Sequence, residues 1–101
     1  MSEDKTTLSA QQADQELQSI EGWSRDNITI TRDFKLANFR DITSFLNHLV
    51  ETITVQNHHP DFSLDTGSRT VSVAVTTHSA GAVTKADILF ARTLNAWQPT
   101  P

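Results

Sequence analysis

The strongest constraint on the fold is one long amphipathic pattern in the middle of the chain. From Phe39 to Ile53, apolar residues recur at spacings of three and four, which is the period of an α-helix with one buried face. Asn38 precedes the pattern and can cap the helix, because its side-chain oxygen can accept from an N–H group of the first turn. Pro60 disfavours helical dihedrals in the residue before it, so we predict that the helix ends near Gln56. The apolar positions are Phe39, Ile42, Phe45, Leu46, Leu49, Val50 and Ile53, and the polar face carries Arg40, Asp41, Ser44, Asn47, His48 and Glu51.

Alternating apolar and polar residues predict strands on both sides of this helix. Residues 27–36 alternate with period two, interrupted only at Arg32, which is typical of a half-buried strand. After the helix come two further alternating segments, separated by Asp65, Thr66, Gly67 and Ser68, and these turn residues predict a hairpin. The apolar residues of the hairpin are Phe62 and Leu64 in its first strand and Val71, Val73 and Val75 in its second.

Two shorter helical patterns lie towards the ends of the chain. Ser9 is followed three residues later by Gln12, a spacing typical of a capping box at a helix start, and Gly22 is predicted to end that helix. Thr84 and Asp87 have the same spacing at the start of a final helix, so Asp87 can be explained as a helix cap alone. Loop structure is predicted for residues 79–82, between the hairpin and this last helix.

The order of these elements predicts an α+β fold. We expect an antiparallel sheet of about four strands, with about three helices packed on one face. The 101 residues correspond to one small domain, and no linker or repeat divides them. We therefore predict a single domain over residues 1–101, with residues 1–7 forming a flexible tail.

Composition excludes several classes of function. The net charge of -4 argues against nucleic-acid and anionic-membrane partners, and the absence of cysteine excludes disulfides and thiolate metal sites. No apolar run approaches the roughly 18 residues of a membrane span. The first residues, MSEDKTTLSAQQ, lack the basic start and apolar stretch of a secretory signal, so we expect a cytoplasmic protein.

Three of the four histidines are candidates for chemistry: His58, His59 and His78. The first two precede the hairpin and the third follows it, so an antiparallel pairing places all three at one end of the sheet. Imidazole titrates near neutrality, and such a cluster could donate and accept protons. The alternatives are solvated surface histidines and a zinc site, but adjacent residues in an extended segment point to opposite sides, which disfavours a shared ion. His48 lies on the polar helix face and is interpreted as solvated.

The histidine segments together resemble the signature of the pterin-4a-carbinolamine dehydratase family. Residues 57–62 read Asn-His-His-Pro-Asp-Phe, residues 77–81 read Thr-His-Ser-Ala-Gly, and Asp87 stands nine residues after His78. The family pattern has His-His-Pro, an aromatic or apolar residue soon after, a histidine at the end of a strand, and an aspartate nine residues further on. The resemblance extends over nearly the whole chain, from about Leu8 to Trp97.

This resemblance implies a dehydratase that converts a 4a-hydroxytetrahydropterin to the quinonoid dihydropterin plus water, in tetrahydrobiopterin recycling. It implies histidine acid–base catalysis with His59 as the principal group, a pterin as the small-molecule partner, and a homodimer or homotetramer. It implies no cofactor and no metal. The residues it assigns are His58, His59 and His78 for catalysis, and Asp87, Pro60, Phe62, Thr77 and Ser79 for substrate binding.

The sequence departs from the family pattern four positions before the first histidine. Family members usually have an acidic or other ionisable residue there, whereas this chain has Thr54. The nearest upstream acid, Glu51, lies almost one helical turn away. The departure supports an alternative function, in which the chain is a non-catalytic homologue that binds proteins as a transcriptional coactivator or an assembly factor.

Overall fold

The computed structural model describes residues 3–99, which form three α-helices and a four-stranded sheet. Among these residues no helix is both long enough and apolar enough to cross a membrane. The helices are α1 (Ala10–Leu17), α2 (Phe39–Gln56) and α3 (Lys85–Asn95), and the strands are β1 (Ser24–Asp26), β2 (Thr29–Lys35), β3 (Asp61–Asp65) and β4 (Thr70–Val75).

The central helix has the predicted limits. The Asn38 side chain accepts from the N–H of Asp41 at 2.8 Å, so it caps the first turn of α2. The helix ends because Asn57 adopts the left-handed conformation, with φ of 51°. Phe39 and Val50 remain exposed. The apolar residues of α2 extend further around the helix than the face that packs against the sheet and α3. His48, interpreted as solvated, is instead half-buried, and its Nε2 lies 2.7 Å from the Thr93 carbonyl oxygen.

All strand pairs are antiparallel, in the order β1-β2-β4-β3, which confirms the predicted α+β class. The strand predicted over residues 27–36 is in fact the second arm of a tight hairpin, since Asn27 has φ of 58° and β1 pairs back on β2. The three residues of β1 are too short and too polar to show a period in sequence. Arg32, the interruption of the pattern, lies opposite Val73 on the buried face, with its guanidinium 4.4 Å from the centre of the Phe34 ring.

The core lies between one face of the sheet and the helices. Cross-strand partners share a face of an antiparallel sheet, and the buried residues of β2 and β4 all fall on one face. The other face carries small and polar residues that are exposed or half-buried. The main buried residues are Ile30, Phe34, Val71, Val73 and Val75 from the sheet, and Ile42, Phe45, Leu49, Phe90 and Leu94 from the helices.

The predicted hairpin is confirmed, and its register fixes one end of the sheet. Asp61 at the start of β3 pairs with Ala74 near the end of β4. Beyond β4 the chain forms a short 3₁₀ turn at His78–Ala80, where a plain loop was predicted, and Gly81 closes it with φ of 63°. The end of α2, the start of β3 and the segment after β4 therefore converge near the start of α3.

Residues 3–8, which we call the N-terminal arm, run beside the first turn of α3. The Asp4 carbonyl accepts from the N–H of Ala86 at 2.8 Å, and the Thr6 carbonyl accepts from Lys85 at 3.0 Å. These N–H groups have no partner within the helix, so the arm supplies one. A flexible tail was predicted over residues 1–7; Met1 and Ser2 lie outside the described residues, and the mobility of the rest stays a prediction.

Candidate functional site

His58 lies at the centre of a buried polar cluster. It directly follows the residue that ends α2, it is 4% exposed, and its ring centre lies 5.9 Å from that of Phe90. Its Nδ1 is 2.5 Å from Glu3 Oε2, and its Nε2 is 2.5 Å from Asp87 Oδ1. Both ring nitrogens thus face carboxylate oxygens, an arrangement that favours the doubly protonated imidazolium, in which each nitrogen donates a hydrogen bond.

Asp87 connects this ring to the start of α3. It is fully buried, and besides His58 it accepts from the backbone N–H of Thr84 at 2.9 Å, which is the bond predicted for a capping residue. The Thr77 hydroxyl lies 3.1 Å from both Asp87 oxygens and 2.8 Å from the Thr84 hydroxyl. Because each hydroxyl carries one proton, both are satisfied when Thr84 donates to Thr77 and Thr77 donates to Asp87. Asp87 therefore serves both as a helix cap and as a histidine partner.

Two opposing effects act on the pKa of His58. Burial on its own would lower this pKa, because the low-dielectric surroundings penalise the charged ring. The hydrogen bonds to Asp87 and Glu3, together with the negative charges of these carboxylates, outweigh burial and raise the pKa above its ordinary value. The raised pKa agrees with the geometry, in which both ring nitrogens donate.

The raised pKa predicts that the protein loses stability as the solution becomes alkaline. A histidine that binds its proton more tightly in the folded chain contributes stability that is fully present below the ordinary pKa of about 6.5. That contribution is lost as the pH rises through the folded-state pKa of His58. We expect the free energy of unfolding, measured by urea denaturation at a series of pH values, to fall from neutral to alkaline pH. His58→Gln should flatten this dependence and His48→Gln should keep it; equal slopes in wild type and His58→Gln would contradict the prediction.

The other two candidate histidines face solvent. His59 is exposed beside the buried His58, as expected where adjacent side chains of an extended segment point to opposite sides. His78 is exposed at the start of the 3₁₀ turn, directly after the buried Thr77. Each exposed histidine thus follows a member of the buried cluster along the chain.

The remaining predicted substrate-binding residues differ in accessibility. Phe62 lies on β3, is 45% exposed and lines a surface groove of the sheet with Asp61. Pro60 is half-buried, and Ser79 is exposed with its hydroxyl 3.4 Å from Lys5 Nζ. The structure therefore joins Thr77 and Asp87 to His58 in one hydrogen-bonded cluster, whereas Phe62 and Ser79 are exposed outside it.

Glu3 is the one member of the cluster that no sequence pattern predicted. It is separated from His58 by 55 positions and lies in the segment predicted as a tail, where no motif marks it. Thr54, at the position where an ionisable residue was expected, is exposed and donates to the Val50 carbonyl of its own helix at 3.1 Å. Within residues 3–99, no group of three or more His, Cys, Asp or Glu residues is arranged to hold a metal ion.

Comparisons with known proteins agree on one family. A family model described as pterin 4 alpha carbinolamine dehydratase matches residues 6–97. A protein of that name from Thermomicrobium roseum is 37% identical over 78 residues, covering 77% of this chain and 82% of the relative. Another from Streptomyces coelicolor is 37% identical over 86 residues, covering 84% and 83%. The crystal structure of a protein described as a transcriptional coactivator/pterin dehydratase, from Brucella melitensis, is 29% identical with a TM-score of 0.82, covering 90% of this chain and 97% of that one.

Proposed function

Because the chain belongs to the pterin-4a-carbinolamine dehydratase family, whose curated relatives are named as dehydratases, we propose that it converts a 4a-hydroxytetrahydropterin to the quinonoid dihydropterin and water. One observation in the structure carries this proposal. Two exposed histidines, His59 and His78, each follow a residue of the buried cluster around His58. The exposed rings can reach a ligand, while the cluster fixes the backbone that carries them.

The reaction requires an acid and a base. The bond between C4a and the hydroxyl oxygen breaks, and the hydroxyl leaves as water only after it gains a proton. The ring nitrogen next to C4a stabilises the developing cation with its electron pair and then gives up its own proton, which completes the quinonoid product. General acid–base catalysis of this kind contributes about 10²–10⁴-fold. His59 is proposed as the principal proton donor and acceptor, with His78 sharing the transfer, because both rings are exposed and an imidazole can both donate and accept a proton.

His58 is proposed to act differently from its neighbour. Both of its ring nitrogens are engaged by carboxylates, so it has no nitrogen left for a substrate in this arrangement. It can support the site as a fixed positive charge that holds the chain leading into His59. The sequence predicted all three histidines as catalytic. The contacts favour a supporting role for His58 and proton transfer by the exposed His59 and His78.

The predicted substrate-binding residues are also proposed to fall into two groups, exposed residues that contact the pterin and buried residues that support the site. Phe62 offers an exposed aromatic ring on which a flat pterin could stack, and Ser79 offers an exposed hydroxyl. Pro60 restricts the backbone after His59. Thr77 and Asp87 are buried, so they are proposed to position the histidines rather than to contact the pterin.

A dehydration assay tests the proposed function. The 4a-hydroxytetrahydropterin would be generated chemically, and its decay followed by ultraviolet absorbance with and without the protein. We expect a rate clearly above the spontaneous reaction, and above that of free imidazole at the same concentration of histidine. A rate equal to these controls from folded protein would overturn the proposal.

A second candidate function is a protein-binding cofactor without catalysis. It is favoured by the description of the solved Brucella melitensis relative as a transcriptional coactivator as well as a dehydratase, and by Thr54 in place of an ionisable residue. Folded protein that fails the dehydration assay would favour this candidate. Homodimer or homotetramer formation stays a prediction under either function, and the exposed outer edge of β3 supports it, because unpaired strand edges invite pairing.

A further inference from the structure

We propose that Glu3 is a positioning residue of the site, whose carboxylate the N-terminal arm delivers to His58 Nδ1 so that the imidazolium is held between two acids. This inference rests on the proposed function. It adds to the site a residue that lies far from the histidine motif in sequence and that no pattern in the chain identifies.

The first support is the environment of the contact. The side chains of Glu3 and His58 are 16% and 5% exposed, and their atoms approach to 2.5 Å. A hydrogen bond between charged groups that are largely removed from water is stronger than one at the surface. Glu3 is therefore held against the ring and is not a solvated acid that happens to lie nearby.

The second support is the way in which the arm is held. Its backbone makes three bonds to the segment around the start of α3: Asp4 O with Ala86 N, Thr6 O with Lys85 N, and Leu8 N with Val83 O. The Asp4 carboxylate also accepts from the Thr6 N–H at 3.0 Å, which shapes the arm locally. Glu3 thus directly precedes a residue whose backbone carbonyl is bonded to α3, which limits the positions that its carboxylate can take and keeps it near His58.

The third support is that the Nδ1–H of a buried, protonated His58 needs an acceptor. Asp87 binds only Nε2, and a buried imidazolium with an unsatisfied Nδ1–H would be costly. The helix that precedes His58 does not supply this partner, since Thr54 is exposed and bonded to its own helix. Among the described residues, the groups that contact the His58 ring by hydrogen bonds or ring packing are Glu3 from the arm, and Asp87 and the Phe90 ring from α3.

The consequence for catalysis follows from the chain order. His58 precedes His59, so the ring that Glu3 and Asp87 hold fixes the backbone of the proposed principal acid–base residue. Loss of the Glu3 carboxylate should disturb the proton-transfer step more than the binding of the pterin. We therefore expect an effect on kcat, with little change in KM.

The experiment compares Glu3→Gln with Glu21→Gln, which removes the same charge near the opposite end of α3. The ring of His58 would be titrated by ¹H–¹⁵N NMR, and kcat and KM would be measured across pH. We expect Glu3→Gln to lower the pKa of His58, because a neutral amide oxygen replaces the carboxylate. We expect it to reduce kcat by about 10-fold, the order of the difference between a hydrogen bond to a charged acceptor and one to a neutral acceptor. Glu21→Gln should leave both at the wild-type values.

Each other outcome has one meaning. An unchanged pKa of His58 in folded Glu3→Gln would overturn the contact itself. A lowered pKa with unchanged or increased kcat would overturn the positioning role, and an increase would mean that the arm shields His58 from substrate. If the wild type shows no dehydration while Glu3→Gln still lowers the pKa, the proposed function and the positioning role fail together, whereas the contact stands.

Discussion

Replacing His59 by alanine is expected to lower kcat for pterin dehydration by about 10²–10⁴-fold, the usual contribution of a general acid–base group. The side chain is exposed, so its loss should leave the fold intact. The change therefore separates catalysis from stability. Steady-state rates, corrected for the spontaneous reaction, and the urea midpoint of the same preparation would be measured together.

His48→Gln is the matched control for this variant. His48 lies on α2, and its ring contacts the Thr93 carbonyl, away from the proposed site. We expect its kcat to remain at the wild-type value. If His59→Ala and His48→Gln had the same rate as the wild type, His59 would not be the principal acid–base group, and His78 would be the next residue to test.

Replacing Asp87 by alanine is expected to have the largest effect on stability. The variant leaves the buried His58 charge with one partner fewer, and removes acceptors from Thr77 and from the backbone N–H of Thr84. Breaking a buried charge pair from one side costs about 3–5 kcal/mol. Proteins have a total stability of about 5–15 kcal/mol, so the loss would remove between a fifth and all of it, roughly, and would lower the unfolding midpoint strongly. Urea or thermal unfolding would measure the loss.

Asp33→Ala is the control, because it removes an exposed carboxylate from β2. Surface changes of this kind usually alter stability by less than about 0.5 kcal/mol. Asp87→Asn, which keeps the size and one acceptor oxygen, should fall between the two. A cost for Asp87→Ala as small as that for Asp33→Ala would mean that water replaces the carboxylate, and that the cluster contributes little to folding.

The parts of the fold that were predicted correctly are those that local patterns encode. The limits of α2 followed from its helical period and from Asn38, and the hairpin followed from the alternating valines of β4. β1 was missed because three polar residues carry no period. Its pairing depends instead on the turn at Asn27, which a local hydrophobic pattern does not reveal.

The site was predicted only in part, for a similar reason. The motif indicated His58, His59 and Asp87, and the resemblance gave His59 the principal role, but it also counted His58 among the catalytic residues. Their separation into one buried and one exposed ring depends on the contact with Asp87 across the fold. Glu3 could not be found because backbone carbonyls of the arm dock it on α3, and every residue has a carbonyl, so the sequence does not mark this docking.

The double role of Asp87 has a consequence for how relatives of this chain should be interpreted. A lineage that abandoned catalysis would still need Asp87 to begin α3 and to neutralise His58, so selection for folding alone would retain it. The exposed His59 and His78 have no comparable structural role, and other residues could replace them once the reaction was no longer needed. On the proposed roles of His59 and His78, the presence of these surface histidines in divergent homologues should therefore distinguish working enzymes from inactive descendants better than the buried acid does.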